Sequence, residues 1–333
     1  GNQSLTFRPF LRLDQRDPSR THADLRELLW IRAGDGWELR AGVGKEFWGV
    51  TESVHLVDII NQTDLVENPD GEQKLGQSML KLSLERDWGI WDLFLLPGFR
   101  ERTFPGSEGR LGPRPTVDTS AAIYESGAGG RRTDLALRWS HSLGDYDLGL
   151  AWFHGTSREP RLLPQLGPGG EASLIPLYEV IDQFGLDAQL TRGQWLWKLE
   201  AFHRSGQGDP FAAAAGGFEY TRVGVLETRA DLGLLLEYLW DQRGDESLTA
   251  FQNDLFLGLR WTLNDSQDSN LLAGVILDRD SDARIVSLEA ESRLGDAWTL
   301  GLQARIWSRI PPRDPLAGLA DDDYLELTLS RWF

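Results

Sequence analysis

The stretch YLELTLSRWF, residues 324–333, alternates apolar and polar side chains with a period of two. One side carries Leu325, Leu327, Leu329 and Phe333, and the other carries Tyr324, Glu326, Thr328, Ser330 and Trp332. Because successive side chains of a β-strand point to opposite faces, this pattern predicts a strand with one apolar and one polar face.

The same alternation recurs along the whole chain, in about sixteen segments of roughly ten residues, the length of a strand that crosses an outer membrane. Helical periodicity is nearly absent. The predicted strands are 4–14, 23–33, 36–46, 77–87, 90–101, 131–143, 145–155, 179–191, 194–204, 217–228, 231–241, 251–263, 269–279, 284–294, 297–307 and 323–333.

The connections between these segments alternate between short and mostly long ones. The short turns are rich in Gly, Asn and Asp, as at Gly34-Asp35-Gly36 and Gly144-Asp145, which suits tight hairpins. The main long connections are 46–76, 102–130, 156–178, 205–216, 242–250 and 308–322. This alternation predicts an all-β, antiparallel, up-and-down transmembrane barrel of about 16 strands, with 14 or 18 as alternatives.

Aromatic residues collect at the short-turn ends of the predicted strands. In a membrane barrel such residues form a girdle at the interface between lipid and water. The predicted girdle comprises Trp37, Trp91, Trp139, Trp195, Trp261, Trp298 and Phe333.

The composition narrows the classes of function. The chain of 333 residues has no Cys, which excludes disulfides, thiolate nucleophiles and Cys-based metal sites. A net charge of -17 argues against a nucleic-acid partner, since binding a polyanion requires a basic surface. No stretch approaches the ~20 apolar residues of a transmembrane helix.

Taken together, these features resemble a Gram-negative outer-membrane β-barrel of the porin type. The closing stretch resembles the C-terminal signal read by the barrel-assembly machinery, with Phe333 as the terminal aromatic, although Arg331 stands where an apolar residue would be usual. The resemblance implies a single transmembrane domain over 1–333, integral to the bacterial outer membrane and in contact with lipid and lipopolysaccharide. It assigns neither a substrate nor an oligomeric state.

The polar face of the predicted strands carries nearly balanced charge. The first three strands present a basic wall, formed by Arg8, Arg12, Arg26, Arg32 and Arg40. These residues either form cross-strand ion pairs or set up a transverse field in a water-filled pore. The candidate pore-lining residues are Arg8, Arg12, Arg26, Arg32, Arg40, Arg100, Arg138, Glu289 and Glu291.

The loop 46–76 is acidic and partly apolar, and its length is uncommon for a loop that does nothing. Folded into the lumen, it would set its carboxylates against the basic wall and narrow the opening; the alternative is an extracellular cap on the rim. Its candidate constriction residues are Glu52, Asp58, Asp64 and Glu67.

The sequence therefore favours a channel for small hydrophilic, possibly anionic, solutes. The alternatives are a transporter of hydrophobic or polymeric ligands, suggested by inward aromatics such as Phe94 and Trp30, and a structural or adhesive barrel. An enzyme is not expected, because His154 and His203 fall on the lipid side without a serine in reach. No cofactor is expected, although the run Asp321-Asp322-Asp323, beside the stretch PPRD, is a candidate for binding Ca²⁺.

Overall fold

The computed structural model describes residues 2–167 and 169–332, and its regular structure is almost entirely β. No helix in this part of the chain is long and apolar enough to cross a membrane. The strands are Gln3–Arg12 (β1), His22–Gly34 (β2), Trp37–Gly44 (β3), Gln77–Arg86 (β4), Gly89–Pro97 (β5), Ile123–Tyr124 (β6), Thr133–Leu143 (β7), Tyr146–Thr156 (β8), Arg161–Leu166 (β9), Ala172–Tyr178 (β10), Val180–Arg192 (β11), Trp195–Ser205 (β12), Phe211–Arg222 (β13), Asp231–Asp241 (β14), Asn253–Thr262 (β15), Asn270–Asp278 (β16), Arg284–Leu294 (β17), Trp298–Ser308 (β18) and Tyr324–Arg331 (β19).

Short 3₁₀ helices occur only in the connections of the described chain. They are Pro18–Arg20, Thr119–Ala121, Gly129–Arg131, Val225–Glu227, Gly244–Glu246 and Ala317–Leu319.

Among the described residues, sixteen strands form one sheet in the order β1-β2-β3-β4-β5-β7-β8-β11-β12-β13-β14-β15-β16-β17-β18-β19. Neighbours in this order follow one another along the chain, which is the up-and-down topology that the sequence predicts. A separate three-stranded sheet, in the order β6-β10-β9, is built from two of the long connections.

The predicted strands match the observed ones closely, with two differences. β13 spans Phe211–Arg222 instead of the predicted 217–228. The run AAAAGG at 212–217 has small side chains on both faces and no alternation to reveal a strand, and the stretch 223–228 forms a turn that contains the 3₁₀ helix Val225–Glu227. The three strands of the small sheet were not predicted, because they lie inside stretches that read as loops.

A bulge in β2 changes which side chains share a face. The pairing with β1 passes from Arg8 opposite Glu27 to Pro9 opposite Leu25, so Arg26 is the extra residue. Beyond the bulge the alternation shifts by one, since an inserted residue reverses the faces of everything after it. Ile31 consequently packs on the core, and Arg32 lies exposed on the opposite face.

The two faces of the sheet have the reverse of the polarity found in a water-soluble protein. Large apolar side chains are exposed: Leu325 is 71% and Leu5 is 66% exposed. Charged side chains of the same sheet are buried, among them Glu200 and Glu237 at 0% and 1% exposure. Exposed apolar surface on this scale marks a surface that meets something other than water.

The chain divides into two compact units. Unit 1 comprises 1–49, 55–188 and 200–212, and unit 2 comprises 50–54, 189–199 and 213–333. Unit 1 has an apolar core in which the loop 46–76 takes part. Its buried members are Leu29, Trp48, Val57, Ile59, Ile60, Met79, Phe94, Leu96, Ala136, Phe153 and Ile181.

Candidate functional site

In unit 1 the loop segment 57–66 packs on the same face of the sheet as the buried strand residues. Ile60 is completely buried and Val57 is 1% exposed. The base of the segment is fixed by Asn61, whose Nδ2 donates to the carbonyl oxygens of Gly44 at 2.9 Å and Leu75 at 2.8 Å. The backbone groups of a buried loop need hydrogen-bond partners. The Asn61 amide supplies a donor to two of these carbonyl oxygens, so the segment can turn back without forming a regular strand.

Arg158, in the connection after β8, ties this loop segment to the sheet. Its Nε and Nη2 donate to the carbonyl oxygen of Ile60 at 3.2 and 3.1 Å. Its Nη1 pairs with the buried carboxylate of Asp134 at 2.6 Å, and its guanidinium lies over the ring of Phe153. Burial lowers the pKa of Arg158, and the charge of Asp134 opposes that effect.

Arg102 makes a second connection among the long loops of unit 1. Its Nη2 donates to the carbonyl oxygen of Arg158 at 2.6 Å, and its Nε donates to Gln62 at 3.3 Å. Its backbone N–H donates to the hydroxyl of Tyr178 at 3.0 Å, and that ring stacks on Tyr124 of the small sheet. Three long connections are therefore joined into one hydrogen-bonded network.

Three of the four predicted constriction carboxylates lie in unit 1. Asp64 pairs with Arg26 at 2.6 Å, and Glu67 pairs with Arg12 at 2.8 Å. These contacts set loop carboxylates against the predicted basic wall. Asp58 pairs instead with Lys74 of its own loop, at 3.3 Å.

The carboxylate of Glu46 connects Arg40 of the basic wall with Lys81 of β4. It accepts from Arg40 and from Lys81, each at 2.9 Å. The side chain of Glu46 is 9% exposed, so these pairs are shielded from solvent. Sequence reasoning did not select Glu46 as a site residue, although it lies at the start of the acidic loop.

The remaining predicted pore-lining residues are also largely paired. In unit 1, Arg100 pairs with Asp24 at 2.9 Å, Arg138 forms a bidentate pair with Asp187 at 2.6 and 2.8 Å, and Arg8 pairs with Glu27 while remaining exposed. In unit 2, Glu289 pairs with Arg305 at 2.5 Å, and Glu291 is exposed. Arg32 lies on the opposite face, as the bulge in β2 requires.

In unit 2 the loop segment 50–54 is bound by one carboxylate of β14. The backbone N–H groups of Glu52 and Ser53 donate to Glu237 at 2.8 and 2.9 Å, and the Ser53 hydroxyl donates at 2.6 Å. The Glu52 carboxylate itself pairs with Arg260 at 2.5 Å and with Lys198 at 3.5 Å. The sequence gives no local sign of this contact.

His55, in unit 1, lies between two carboxylates. Its Nε2 is 3.5 Å from Glu72 and its Nδ1 is 3.8 Å from the buried Glu200. Burial disfavours the charged imidazolium, but the two carboxylates outweigh it and raise the pKa of His55 to about 10. The histidine is therefore a cation at neutral pH.

This shift predicts a pH dependence of stability. A histidine whose pKa is raised on folding stabilises the protein fully below its unfolded value of about 6.5, and that stabilisation is lost as the pH rises through the folded value. We expect the midpoint of thermal unfolding to fall between neutral pH and pH about 10. The variant His55→Gln, which cannot titrate, should show a smaller fall; equal falls in both proteins would show that His55 is not the group responsible.

The described tryptophans of the predicted girdle are largely exposed or half-buried. Trp37, Trp195, Trp261 and Trp298 are 36–43% exposed, and Trp139 donates from Nε1 to the carbonyl oxygen of Trp88 at 3.0 Å. The Arg331 guanidinium lies 5.3 Å from the ring centre of Trp298. This cation–π contact gives the charge of Arg331 a partner on the face of the sheet that is otherwise apolar. Trp91 is half-buried, and Phe333 lies outside the described residues.

Three of the inward aromatic side chains, the kind that suggested a hydrophobic ligand, are covered by cations. Lys81 lies over Phe94, Arg158 over Phe153 and Arg204 over Phe202. Trp30 was also predicted on this face. It lies on the other face of the sheet, because the bulge in β2 reverses the alternation there, as it does for Arg32. The rings therefore do not form an open apolar lining.

The two histidines that were weighed as hydrolase candidates lie on strands β8 and β12. His154 contacts Asp182 at 3.0 Å and Arg132 at 2.7 Å, neither of which supplies the hydroxyl nucleophile of a serine hydrolase. His203 is exposed.

Comparison with known proteins finds similarity among solved structures. No protein-family model and no curated protein matches the chain. Among solved structures it is similar to OmpT, an outer membrane protein of Vibrio cholerae, folded in vitro and in its trimer form. The two chains are 8% identical, the similarity covers 99% of this chain and 91% of that one, and the TM-score is 0.40.

Proposed function

We propose that the chain is an integral protein of the bacterial outer membrane, in which the sixteen-stranded sheet closes into a barrel by pairing β1 with β19. The reversed polarity of the two faces supports this proposal most directly. Exposed leucines and aromatics on strand after strand are stable in lipid and costly in water. Closure satisfies the backbone groups of both edge strands, which no water can reach within a bilayer.

We propose further that the barrel is a passive channel for small hydrophilic solutes. Barrels of 16 to 18 strands leave an aqueous interior, whereas barrels of about eight are filled by their own side chains. The polar face would line that interior, and the loop 46–76 would narrow it. Contact with lipopolysaccharide and recognition by the barrel-assembly machinery accompany this proposal.

The ion pairs of the basic wall affect the charge selectivity that we expect of the channel. Arg12, Arg26 and Arg40 each face a carboxylate, so the wall offers less positive potential to an anion than the sequence suggests. We therefore favour weak charge selectivity. A hydrophobic ligand is less favoured, because cations cover the rings of Phe94, Phe153 and Phe202.

Single-channel recording in planar bilayers tests the channel and its selectivity together. The wild type is expected to give steady ohmic steps and a reversal potential near zero in a KCl gradient. Glu46→Gln leaves Arg40 and Lys81 without their shared carboxylate and should shift the reversal potential towards anions. Arg40→Gln should shift it towards cations. Absence of steps from folded protein would reject the channel, and unchanged reversal potentials in both variants would reject the role of this wall.

A further inference from the structure

The imidazole of His22 and the carboxylates of Asp64 and Glu67 meet in unit 1, where the loop 46–76 contacts the start of β2. Their Nε2, Oδ2 and Oε1 atoms all lie within 4.8 Å of one another, and His22 Nε2 is 4.0 Å from Glu67 Oε1. The two carboxylates belong to one turn, in which the backbone N–H of Glu67 donates to the carbonyl oxygen of Asp64 at 3.2 Å. Strand and loop thus bring one nitrogen and two oxygen atoms around a single point.

These three atoms are shielded from solvent, and none of them forms a hydrogen bond within the described part of the chain. Asp64 is completely buried. Buried polar atoms of native proteins are almost always paired, so three unpaired atoms at one point need an explanation. A bound cation would satisfy all three at once and would also explain why they converge.

The second oxygen of each carboxylate is held by a neighbouring residue. Asp64 Oδ1 accepts from the hydroxyl of Thr103 at 2.5 Å, and Glu67 Oε2 accepts from Arg12 at 2.8 Å. The backbone N–H of Asp64 donates to the carbonyl oxygen of Gln73 at 2.7 Å. Hydrogen bonds of this kind orient the ligands of metal sites and leave the other oxygen available to the ion.

Arg26 competes with a cation for this position. Its Nη1 lies 2.6 Å from Asp64 Oδ2, in an ion pair that lacks the geometry of a hydrogen bond. The same Nη1 lies 3.1 Å from Asp24 Oδ2, and the guanidinium lies over the ring of Phe10. Because Asp24 is a second carboxylate partner, Arg26 keeps an ion pair when a metal takes Asp64 Oδ2.

We propose that His22, Asp64 and Glu67 bind a divalent transition-metal ion, with Zn²⁺ as the best match. Zn²⁺ binds imidazole nitrogen and carboxylate oxygen, and three protein ligands with a water complete its tetrahedron. Ligand atoms in such a tetrahedron are about 3.4 Å apart, so these side chains draw in by about 1 Å. Ca²⁺ and Mg²⁺ fit this set less well, because they take six or more ligands that are all oxygen.

The bound ion would join the loop 46–76 to β2, whether or not the barrel conducts. The site therefore goes beyond the proposed channel. It also differs from the acidic run expected from the sequence to bind Ca²⁺, in which the carboxylate of Asp323 accepts from the backbone N–H of Trp307 at 3.0 Å.

Calorimetric titration of the full chain, without a histidine tag and in detergent micelles, with ZnCl₂ tests the proposal. We expect one binding event per chain and a rise in the unfolding midpoint that EDTA reverses. His22→Gln and Asp64→Asn should each weaken binding about tenfold or more. The control His203→Gln removes an exposed histidine of β12 and should change binding less than twofold.

Arg26→Met gives a result that a merely structural cluster would not. It removes the competitor for Asp64 Oδ2, so the folded variant should bind ZnCl₂ several-fold more tightly than the wild type. Weaker binding by folded Arg26→Met would overturn the assignment of Asp64 as a ligand.

His22→Gln changes a half-exposed side chain at the start of a strand and keeps the test valid if Asp64→Asn does not fold. Two results would overturn the proposal: folded wild type with neither binding heat nor a zinc-dependent midpoint, or equal loss of binding in His22→Gln and His203→Gln. Tighter binding of CaCl₂ or MgCl₂ than of ZnCl₂ would overturn the choice of ion.

Discussion

Replacing Arg158 by methionine is expected to lower the free energy of unfolding by about 1–3 kcal/mol, the usual cost of leaving a buried hydrogen-bond acceptor unpaired. Methionine keeps most of the length and apolar contact of the side chain but removes one of the two cations that pair with the Asp134 carboxylate, which is 0% exposed and keeps only Arg132 at 3.2 Å. It also removes both donors to the carbonyl oxygen of Ile60. The loop segment 57–66 should therefore loosen as stability falls.

A matched control is available three residues along the chain. Arg161 pairs with Glu179 at 2.5 Å, but its side chain is 39% exposed. Exposed ion pairs are worth roughly 0–1 kcal/mol, so Arg161→Met should have a small effect. Urea unfolding followed by tryptophan fluorescence measures both. Equal losses in the two variants would contradict the role assigned to the buried pair.

Replacing Glu237 by alanine is expected to raise single-channel conductance. The carboxylate accepts three hydrogen bonds from Glu52 and Ser53, and each buried donor left unpaired costs about 1–3 kcal/mol. The segment 50–54 should then leave β14 and move, which would widen the proposed constriction and add flickering to the open current.

Two comparisons isolate this effect in the same bilayer recordings. Glu237→Gln keeps one acceptor oxygen and should fall between wild type and alanine. Glu85→Ala removes an exposed carboxylate of β4 and should leave conductance unchanged. If Glu237→Ala conducts like the wild type, the segment 50–54 does not restrict the path.

Sequence reasoning predicted the sixteen long strands because each buries one face and exposes the other, which leaves a period-two signal in the residues themselves. It failed where that signal is weak or interrupted. The start of β13 is hidden by alanines and glycines, and the bulge at Arg26 reverses the faces of Trp30 and Arg32 without any local sign.

The candidate site was predictable only in part. The acidic loop and the basic wall were visible as compositions, and the pairs of Asp64 with Arg26 and Glu67 with Arg12 follow from their opposite charges. The partner of Ser53 lies 184 residues away, and no local pattern links it to Glu237.

The claim that lipid covers one face of the sheet and water the other is tested most directly on β14. Because the chain contains no Cys, single cysteines at 233–240 can carry spin labels without further changes. Electron paramagnetic resonance in liposomes then measures the access of oxygen, which concentrates in lipid, and of a water-soluble nickel complex. We predict high oxygen access at Leu234, Tyr238 and Trp240, whose side chains are exposed, and lower oxygen access at Leu235, Glu237 and Leu239. High nickel access at Leu234, Tyr238 and Trp240 would place that face in water and contradict the membrane barrel.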